Sequence, residues 1–225
     1  MFRSKRYKEA FSKITEESYS FLEAVKLLKE LNTENFDSSV QVSFNLNVDP
    51  RHADQQLRGS IILPNGSGKT PKILAVVKDE NKTAASNATY VGGIEQLEKI
   101  KKEGWFDFDF IVTTPDLMPE FAKYGKLLGP KGLMPNPKLG TVTTNISEAI
   151  ENILKGQIEY RTDKEGNINL IVGKKSFNLD HLVENYELVL KTIVSKRPAS
   201  VKGDYILNIT ISSAMSPGIK IIYQK

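Results

Sequence analysis

The residues with the most explicit chemical signature lie in the GSGKT stretch at positions 66–70, which ends like the phosphate-binding loop of nucleotide hydrolases. The complete motif needs a glycine five residues before Gly68, where this chain has Leu63. It also needs a helix after the lysine, because free amides at a helix N-terminus bind phosphate, whereas Pro71 opens an apolar run typical of a strand. We therefore predict a flexible connection with a solvated Lys69. A nucleotide-binding enzyme is the alternative function.

Acid-base, nucleophilic and metal chemistry have little support in the sequence. The two histidines, His52 and His181, lie far apart and have no acid-base signature beside them. The chain has no cysteine, which excludes disulfides, thiolate nucleophiles and cysteine metal sites. Its carboxylates are spread along predicted helices without metal-ligand spacing. We therefore predict no catalytic residue, no metal site and no cofactor, and a protein that is not an enzyme.

One long loop has the composition to present cations to an anionic partner. The sequence GPKGLMPNPKLGT at 129–141 is too rich in proline and glycine for a helix or a strand, so it must follow an irregular path. Lys131 and Lys138 lie on that path. The alternative is an ordinary structured loop beside two helices.

A second loop offers arginines. The sequence DPRHADQQLRG at 49–59 leaves one predicted strand and enters another, and it carries Arg51 and Arg58. A guanidinium can contact two phosphate oxygens or stack on a base. It can also pair with nearby Asp49 or Asp54, and the spacing alone slightly favours this structural pair.

Charge and one aromatic residue also point to an anionic partner. The formal net charge is +4 and the isoelectric point is about 9.0, although 27 acidic side chains nearly balance 31 basic ones.

Phe36 lies in a polar turn, where an aromatic ring can stack on an unpaired base or plug a helix-strand corner. Residues 1–13 suit either a phosphate-binding arm or a solvated terminus, because they contain Arg3, Lys5, Arg6, Lys8 and Lys13 against Glu9 alone.

Periodicity predicts the elements that position these side chains. Residues 20–31 carry an apolar stripe at helical spacing that includes Leu22, with Ser20 and Glu23 as a capping box. Residues 40–48 alternate between apolar and polar side chains, which predicts a strand of an antiparallel sheet with one wet face.

The middle of the chain has a different pattern. Residues 72–77 and 108–112 are short apolar runs separated by a helical pattern, which is typical of parallel strands covered on both faces. Further helices are predicted at 117–128 and 147–155. Beyond Gly156 the antiparallel character returns. There we predict strands at 158–160 and 168–172 around a turn at 163–167, a helix at 179–196, a strand at 205–212 with Leu207, Ile209 and Ile211 on its apolar face, and a short strand at 218–223.

Two outer segments of antiparallel character around a parallel middle indicate a discontinuous domain with a second domain inserted. We place the first domain at 1–67 and 157–225 and the inserted domain at 68–156, with joints at permissive glycines. The predicted fold class is α/β (α+β). The first domain should contain a mainly antiparallel sheet with helices.

Composition and hydropathy bear on the compartment. The hydrophobic fraction of 40% and the charged fraction of 26% are ordinary for a globular protein, so we expect order over most of the chain. The first residues, MFRSKRYKEAF, lack the apolar run of a signal peptide, and no segment is apolar enough to span a bilayer. The cytoplasm is the expected compartment.

Four motifs together are similar to the ribosomal protein L-one family, the family of the mobile stalk of the large subunit. They are GPKGLMPNPKLGT at 129–141, DPRHADQQLRG at 49–59, YVGG at 90–93 and VGKKSF at 172–177. Their order and spacing fit that family over essentially the whole chain, and the bacterial form is the closer match.

The resemblance implies a discontinuous first domain and an inserted Rossmann-like α/β/α domain. It implies that the first domain binds large-subunit ribosomal RNA at the stalk, and that the stalk assists release of deacylated tRNA from the exit site. It also implies a translational repressor that binds its own operon mRNA. The expected protein is monomeric when free, ribosome-associated in the cytoplasm and without a membrane partner. The 129–141 loop would lie in the inserted domain, away from the main ribosomal RNA surface.

RNA-binding residues are also implied by the resemblance. The family's RNA-contacting glutamate and phenylalanine match Glu23 and Phe36. Polar residues on segments expected to flank the RNA-facing surface are further candidates, namely Arg51, Arg58, Lys164, Asn169, Lys174 and Lys220.

The family's contact loop near the C-terminus is normally Thr-Met-Gly after small hydroxyl residues, and SSAMS takes that place here. Ser212, Ser213 and Met215 are therefore candidates for RNA contacts. Ala214 lacks the threonine hydroxyl, and Ser216 replaces a glycine whose backbone approaches the RNA. Loss of one hydrogen bond costs on the order of 1 kcal/mol, which weakens a complex several-fold.

Overall fold

The computed structural model describes residues 3–31, 34–78 and 83–223. Contacts divide the chain into two compact units, which we call unit 1 (Met1–Gly68 with Ile158–Lys225) and unit 2 (Lys69–Gln157). These boundaries lie one residue further along the chain than the domain boundaries expected from the sequence. Helices mixed with an antiparallel sheet confirm the predicted fold class. No helix within the described ranges is both long and apolar enough to cross a membrane.

The regular elements follow in chain order. The helices are α1 (Lys5–Ser12), α2 (Phe21–Glu30), α3 (Glu95–Glu103), α4 (Met118–Ala122), α5 (Gly125–Leu128), α6 (Ile146–Leu154) and α7 (Leu179–Ser195). The strands are β1 (Ser39–Leu46), β2 (Arg58–Ile62), β3 (Ile73–Val76), β4 (Tyr90–Gly92), β5 (Phe110–Thr113), β6 (Gln157–Arg161), β7 (Asn167–Lys174), β8 (Ile206–Ser213) and β9 (Ile219–Ile221).

A four-stranded antiparallel sheet with the order β7-β1-β8-β9 is the centre of unit 1. The alternation predicted for β1 is present, since Val40, Val42, Phe44 and Leu46 are buried and the residues between them are not. Helices α2 and α7 pack on the buried face and share its core. The other face of the sheet therefore presents the polar half of each strand.

The N-terminus of α2 has the predicted capping box. The Ser20 hydroxyl accepts the backbone N–H of Glu23 at 3.4 Å, and the Glu23 carboxylate accepts the backbone N–H of Ser20 at 3.1 Å. The apolar stripe is shifted, however, because Ala24, Val25 and Leu28 are buried whereas Leu22 is 43% exposed. The helix therefore turns a slightly different face to the sheet than spacing alone suggested.

One prediction for the second half of unit 1 is wrong. The pairing register shifts between Asn45 and Leu46, so that Leu46 faces Ile206. Ile206 is consequently buried, and Leu207, predicted on the apolar face, is 58% exposed. Strands β6 and β7 flank the turn as predicted and belong to different sheets, because β6 pairs with β2 and β7 pairs with β1.

The turn predicted at 163–167 does form, and it brings the chain from one sheet to the other. The Asp163 carboxylate accepts the backbone N–H groups of Glu165 at 2.9 Å and Asn167 at 2.8 Å. Gly166 has a φ of 82°, and a Cβ there would lie 2.8 Å from the backbone oxygen of Val48. Only glycine fits this close approach without strain.

We expect Gly166→Ala to lower the free energy of unfolding by about 1–3 kcal/mol, because alanine adds left-handed strain and a clash with backbone oxygens. Urea unfolding of the full chain measures this change. Gly203→Ala is the matched control, since Gly203 has a φ of 75° and no neighbour within 4 Å of the added Cβ. Equal losses in the two variants would show that the clash contributes nothing.

Unit 2 contains a parallel sheet with the order β4-β3-β5. Every residue of β3 is buried, and successive side chains enter two different cores. Ile73 and Ala75 pack with α6, whereas Leu74 and Val76 pack with residues of α3, α4 and α5. The sheet is covered on both faces, as its continuous apolar runs predicted.

The helix predicted at 117–128 is broken into shorter pieces. A 3-10 turn at Pro115–Leu117 leads into α4, and α5 begins only at Gly125. The break lies at Tyr124, where φ is −102° and ψ is 5°. The helix hydrogen bonds therefore do not continue from α4 into α5.

Candidate nucleic-acid interface

The strand register assembles one row of polar side chains across the whole sheet of unit 1. Ser43 pairs with Asn169 on one side and Thr210 on the other, and Thr210 pairs with Lys220. Side chains paired in this way point to the same face. Two of the predicted site residues, Asn169 and Lys220, therefore lie in one row, and Ser43 and Thr210 lie between them.

Two further rows, one through Gln41 and one through Asn45, extend this surface. The side-chain amide of Gln41 donates to the Ser212 hydroxyl at 3.3 Å, and Ile171 lies on the other side of Gln41. We use the name polar sheet face for the exposed or half-buried polar residues of the three rows: Gln41, Ser43, Asn45, Asn167, Asn169, Asn208, Thr210, Ser212 and Lys220. All but Lys220 are uncharged. The surface therefore offers mainly neutral hydrogen-bonding groups.

Three predicted residues lie at the end of the sheet where β1 begins and β7 and β8 finish. Phe36 is 52% exposed in the turn before β1, so it does not plug the helix-strand corner. The Lys174 ammonium donates to the Ser39 hydroxyl at 3.1 Å and to the backbone oxygen of Asp37 at 3.4 Å. Met215 is 52% exposed in the loop after β8. We call this region the Phe36 end.

The β8–β9 loop is closed by the serine that departs from the family pattern. The backbone N–H of Ser213 donates to the Ser216 hydroxyl at 2.8 Å, and the backbone N–H of Ser216 donates to the Ser213 oxygen at 3.3 Å. Ala214 and Met215 are exposed at the tip of this tight turn. The Ser216 side chain thus holds the turn that presents Met215.

Ser213, which was predicted to contact RNA, is not at the surface. It is 2% exposed, and its hydroxyl donates to the Glu34 carboxylate, which also accepts the Ser38 hydroxyl. The side chain therefore faces inward and links the start of β1 to the end of β8. Ser213 positions the loop rather than offering a surface group.

Arg51 and Lys164 lie at the opposite end of the sheet from Phe36. The eight residues of β1 separate the two ends by roughly 25 Å. Asp49 accepts the backbone N–H of Arg51 at 3.0 Å, and Asp54 accepts the Ser200 hydroxyl at 2.8 Å. The guanidinium of Arg51 has no carboxylate partner among the described residues, so the ion pair considered from the sequence is not formed.

Glu23 and Arg58 lie outside the polar sheet face. Hydrogen bonds from the Ser20 hydroxyl and backbone hold the pKa of Glu23 below its usual value, so this carboxylate is ionised at neutral pH. Glu23 lies in the first turn of α2, four residues after Tyr19. The backbone of Tyr19 is hydrogen-bonded to the β9 edge, because its N–H donates to the Lys220 oxygen and its oxygen accepts the N–H of Ile222. Arg58 begins β2 in the smaller sheet. The structure does not bring Arg58 to the residues above.

The GSGKT stretch at 66–70 lies at the margin of unit 2, and the 129–141 loop lies within unit 2. Lys69 is not simply solvated, because its ammonium pairs with the Asp109 carboxylate at 2.5 Å. Lys131 lies 4.1 Å from the ring centroid of Phe106, and the backbone N–H of Lys138 donates to the Asn136 side chain at 2.8 Å. The 129–141 loop is therefore held both by contacts within itself and by contacts with other residues of unit 2.

Sequence comparisons identify the relatives of this chain. The model of the Ribosomal protein L1p/L10e family matches residues 28–217. The chain is 52% identical over 220 residues to the large ribosomal subunit protein uL1 of Mycoplasma mycoides, with 97% of each chain covered. It is 47% identical over 222 residues to the protein of the same name from Macrococcus caseolyticus, covering 97% of this chain and 96% of the relative. Matches of this extent, together with the four motifs, mean that the chain belongs to the ribosomal protein L1p/L10e family.

Proposed function

We propose that this chain is a structural, non-enzymatic protein of the large ribosomal subunit that binds ribosomal RNA through unit 1. The observation that carries the proposal is the polar sheet face with an exposed Phe36 and Met215 at one end. The names of the relatives, large ribosomal subunit protein, support the assignment.

The chemistry of the polar sheet face suits RNA rather than DNA. Neutral amide and hydroxyl groups both donate and accept, as required for contacts with ribose 2′-hydroxyls. Phe36 provides a ring face on which an unpaired base can stack. Lys174 and Lys220 supply cations for the phosphates that border such a contact. RNA is therefore recognised by shape, hydroxyl and stacking contacts.

Three finer functions belong to the same proposal. The first domain, expected at 1–67 and 157–225, is the RNA-binding domain at the mobile stalk, and the inserted domain, expected at 68–156, moves with the stalk as deacylated tRNA leaves the exit site. The free protein is a cytoplasmic monomer that represses translation by binding its own operon mRNA. One surface serves both RNAs, so the two RNAs compete.

Filter binding of the full chain to a stalk RNA fragment tests the central proposal. The logarithm of the affinity should fall linearly with the logarithm of the salt concentration, because bound phosphates release counterions. An unrelated hairpin of equal length is the control. Equal affinity for the two RNAs would contradict specific recognition, and tight binding of ATP in a calorimetric titration would favour the nucleotide-binding alternative.

The finer functions have separate tests. The leader of the operon mRNA should displace the stalk fragment from the protein at comparable concentrations. Ribosomes that lack the protein should release deacylated tRNA more slowly from the exit site. A leader that does not compete would remove the repressor role, and an unchanged release rate would remove the role at the exit site.

A further inference from the structure

The excess positive charge of this protein lies almost entirely in one short segment. Residues 3–13 contain five basic side chains and one acidic side chain, a balance of +4 that equals the formal charge of the whole chain. We call the five basic residues the α1 arm: Arg3, Lys5, Arg6, Lys8 and Lys13. All five are exposed. The remainder of the chain is close to electrically neutral.

The cations of the α1 arm are not neutralised by the protein. Among the described residues, none of the five forms an ion pair with a carboxylate. Lysines of unit 2 differ in this respect, because six of them have a carboxylate within 3.4 Å: Lys69, Lys72, Lys78, Lys102, Lys123 and Lys155. A basic cluster without carboxylate partners keeps its full electrostatic attraction for an external anion.

The α1 arm is held in place rather than left as a free tail. Ser4 caps the helix by accepting the backbone N–H of Tyr7 at 3.2 Å, and Ala10 is buried in the core of unit 1. The Tyr19 hydroxyl accepts the backbone N–H groups of Thr15 and Glu16, each at 2.9 Å, which fixes the chain after the helix. The arm therefore has a defined position on unit 1.

That position is beside the Phe36 end of the sheet. The guanidinium of Arg6 lies 3.8 Å from the Met215 sulfur, across 209 positions of sequence. The polar sheet face itself carries Lys220 as its single cation, so it supplies few of the phosphate contacts that dominate most RNA affinities. The cations for those contacts must come from its borders, and the α1 arm is the most basic border.

We propose that the α1 arm binds the RNA phosphate backbone next to the nucleotides that contact Met215. This inference rests on the proposed RNA-binding function and adds to it a site that is separate from the sheet. The arm contributes affinity and salt dependence but no sequence selectivity, because the phosphates of an RNA are the same at every nucleotide. The polar sheet face and Phe36 contribute the selection of one RNA over another.

Neutralising the arm tests this inference. The variant Lys5→Gln/Arg6→Gln/Lys8→Gln should lose about two units from the slope of log affinity against log salt, at roughly 0.7–0.9 per phosphate contact, and should bind the stalk fragment at least tenfold more weakly at low salt. Lys101→Gln/Lys126→Gln/Lys138→Gln is the matched control. It removes the same charge from exposed positions of unit 2, and its slope should equal that of the unsubstituted chain.

Each other outcome contradicts the inference. An unchanged slope in the α1 variant, or equal losses in both variants, would show that the arm makes no particular phosphate contacts. Lys5→Gln/Lys8→Gln leaves Arg6 against Met215 and should lose roughly one to two units, which guards against a folding defect in the triple variant. Sedimentation with vesicles of phosphatidylglycerol should show no binding, and vesicle binding lost in the α1 variant would assign the arm to membranes instead. Failure of the unsubstituted chain to bind stalk RNA would instead refute the proposed function.

Discussion

Replacing Phe36 by alanine is expected to weaken binding to the stalk RNA fragment by about 1–3 kcal/mol, which is a factor of roughly 5 to 150 in Kd. The ring is 52% exposed and lies at the end of the polar sheet face, so its removal deprives a stacked base of its platform without opening a core. Met215→Ala should act in the same direction with a smaller effect, because a thioether provides contact area but no ring. Filter binding at fixed salt measures both.

Two further variants separate stacking from other causes. Phe36→Leu keeps an apolar side chain but removes the ring face, so it should lose nearly as much affinity as the alanine variant. Leu154→Ala is the control, since Leu154 is 48% exposed on α6 in unit 2 and should have no effect. Full affinity in both Phe36 variants would remove this residue from the site, and full affinity in Phe36→Leu alone would replace stacking by simple packing.

Asn185→Ala is expected to lower the free energy of unfolding by about 3 kcal/mol, because it leaves one buried and two partly buried backbone groups without a partner. The Asn185 amide donates to the backbone oxygens of Val172 at 2.7 Å and Gly66 at 3.1 Å. Its side-chain oxygen accepts the backbone N–H of Asn65 at 3.1 Å. One buried side chain thus ties α7 to the end of β7 and to the segment that precedes unit 2.

Urea unfolding of the full chain tests this expectation. Asn185→Leu preserves most of the volume and none of the hydrogen bonds, so a loss close to that of alanine would identify the polar contacts as the cause. Glu187→Ala on the exposed side of the same helix should change stability by less than about 0.5 kcal/mol. A stable Asn185→Leu variant would instead mean that the site needs only volume.

Local patterns predicted the individual elements well. The capping box of α2, the alternation of β1 and the buried runs of β3 each depend on residues within one turn or one strand, and each has the predicted form. Long-range pairing overrode the pattern at Leu207, because a bulge opposite Asn45 reversed the faces of the first residues of β8. The extra residue of this bulge, Leu207, lies in β8, but the shift appears only in the pairing with β1, so the alternation of residue types along β8 did not reveal it.

The candidate site was only partly within reach of the sequence. Selection by motif found Phe36, Ser212 and Met215, but it missed Gln41, Ser43 and Thr210, which complete the polar sheet face. Their signal was present in the alternation of apolar and polar residues predicted for the strands at 40–48 and 205–212. What was missing was the register, because the neighbours of Gln41 and Ser43 across the sheet lie more than a hundred positions away in the sequence.

The sequence by itself determined the family, the types of the elements and the concentration of charge near the N-terminus, because motifs, periodicity and charge are properties of contiguous residues. Only the tertiary structure decided that Ser213 faces inward to Glu34, that Asn185 holds three backbone groups, and that Arg6 meets Met215. These contacts depend on which distant segments pack together. Packing is set by the free energy of the whole fold, and no local pattern contains that information.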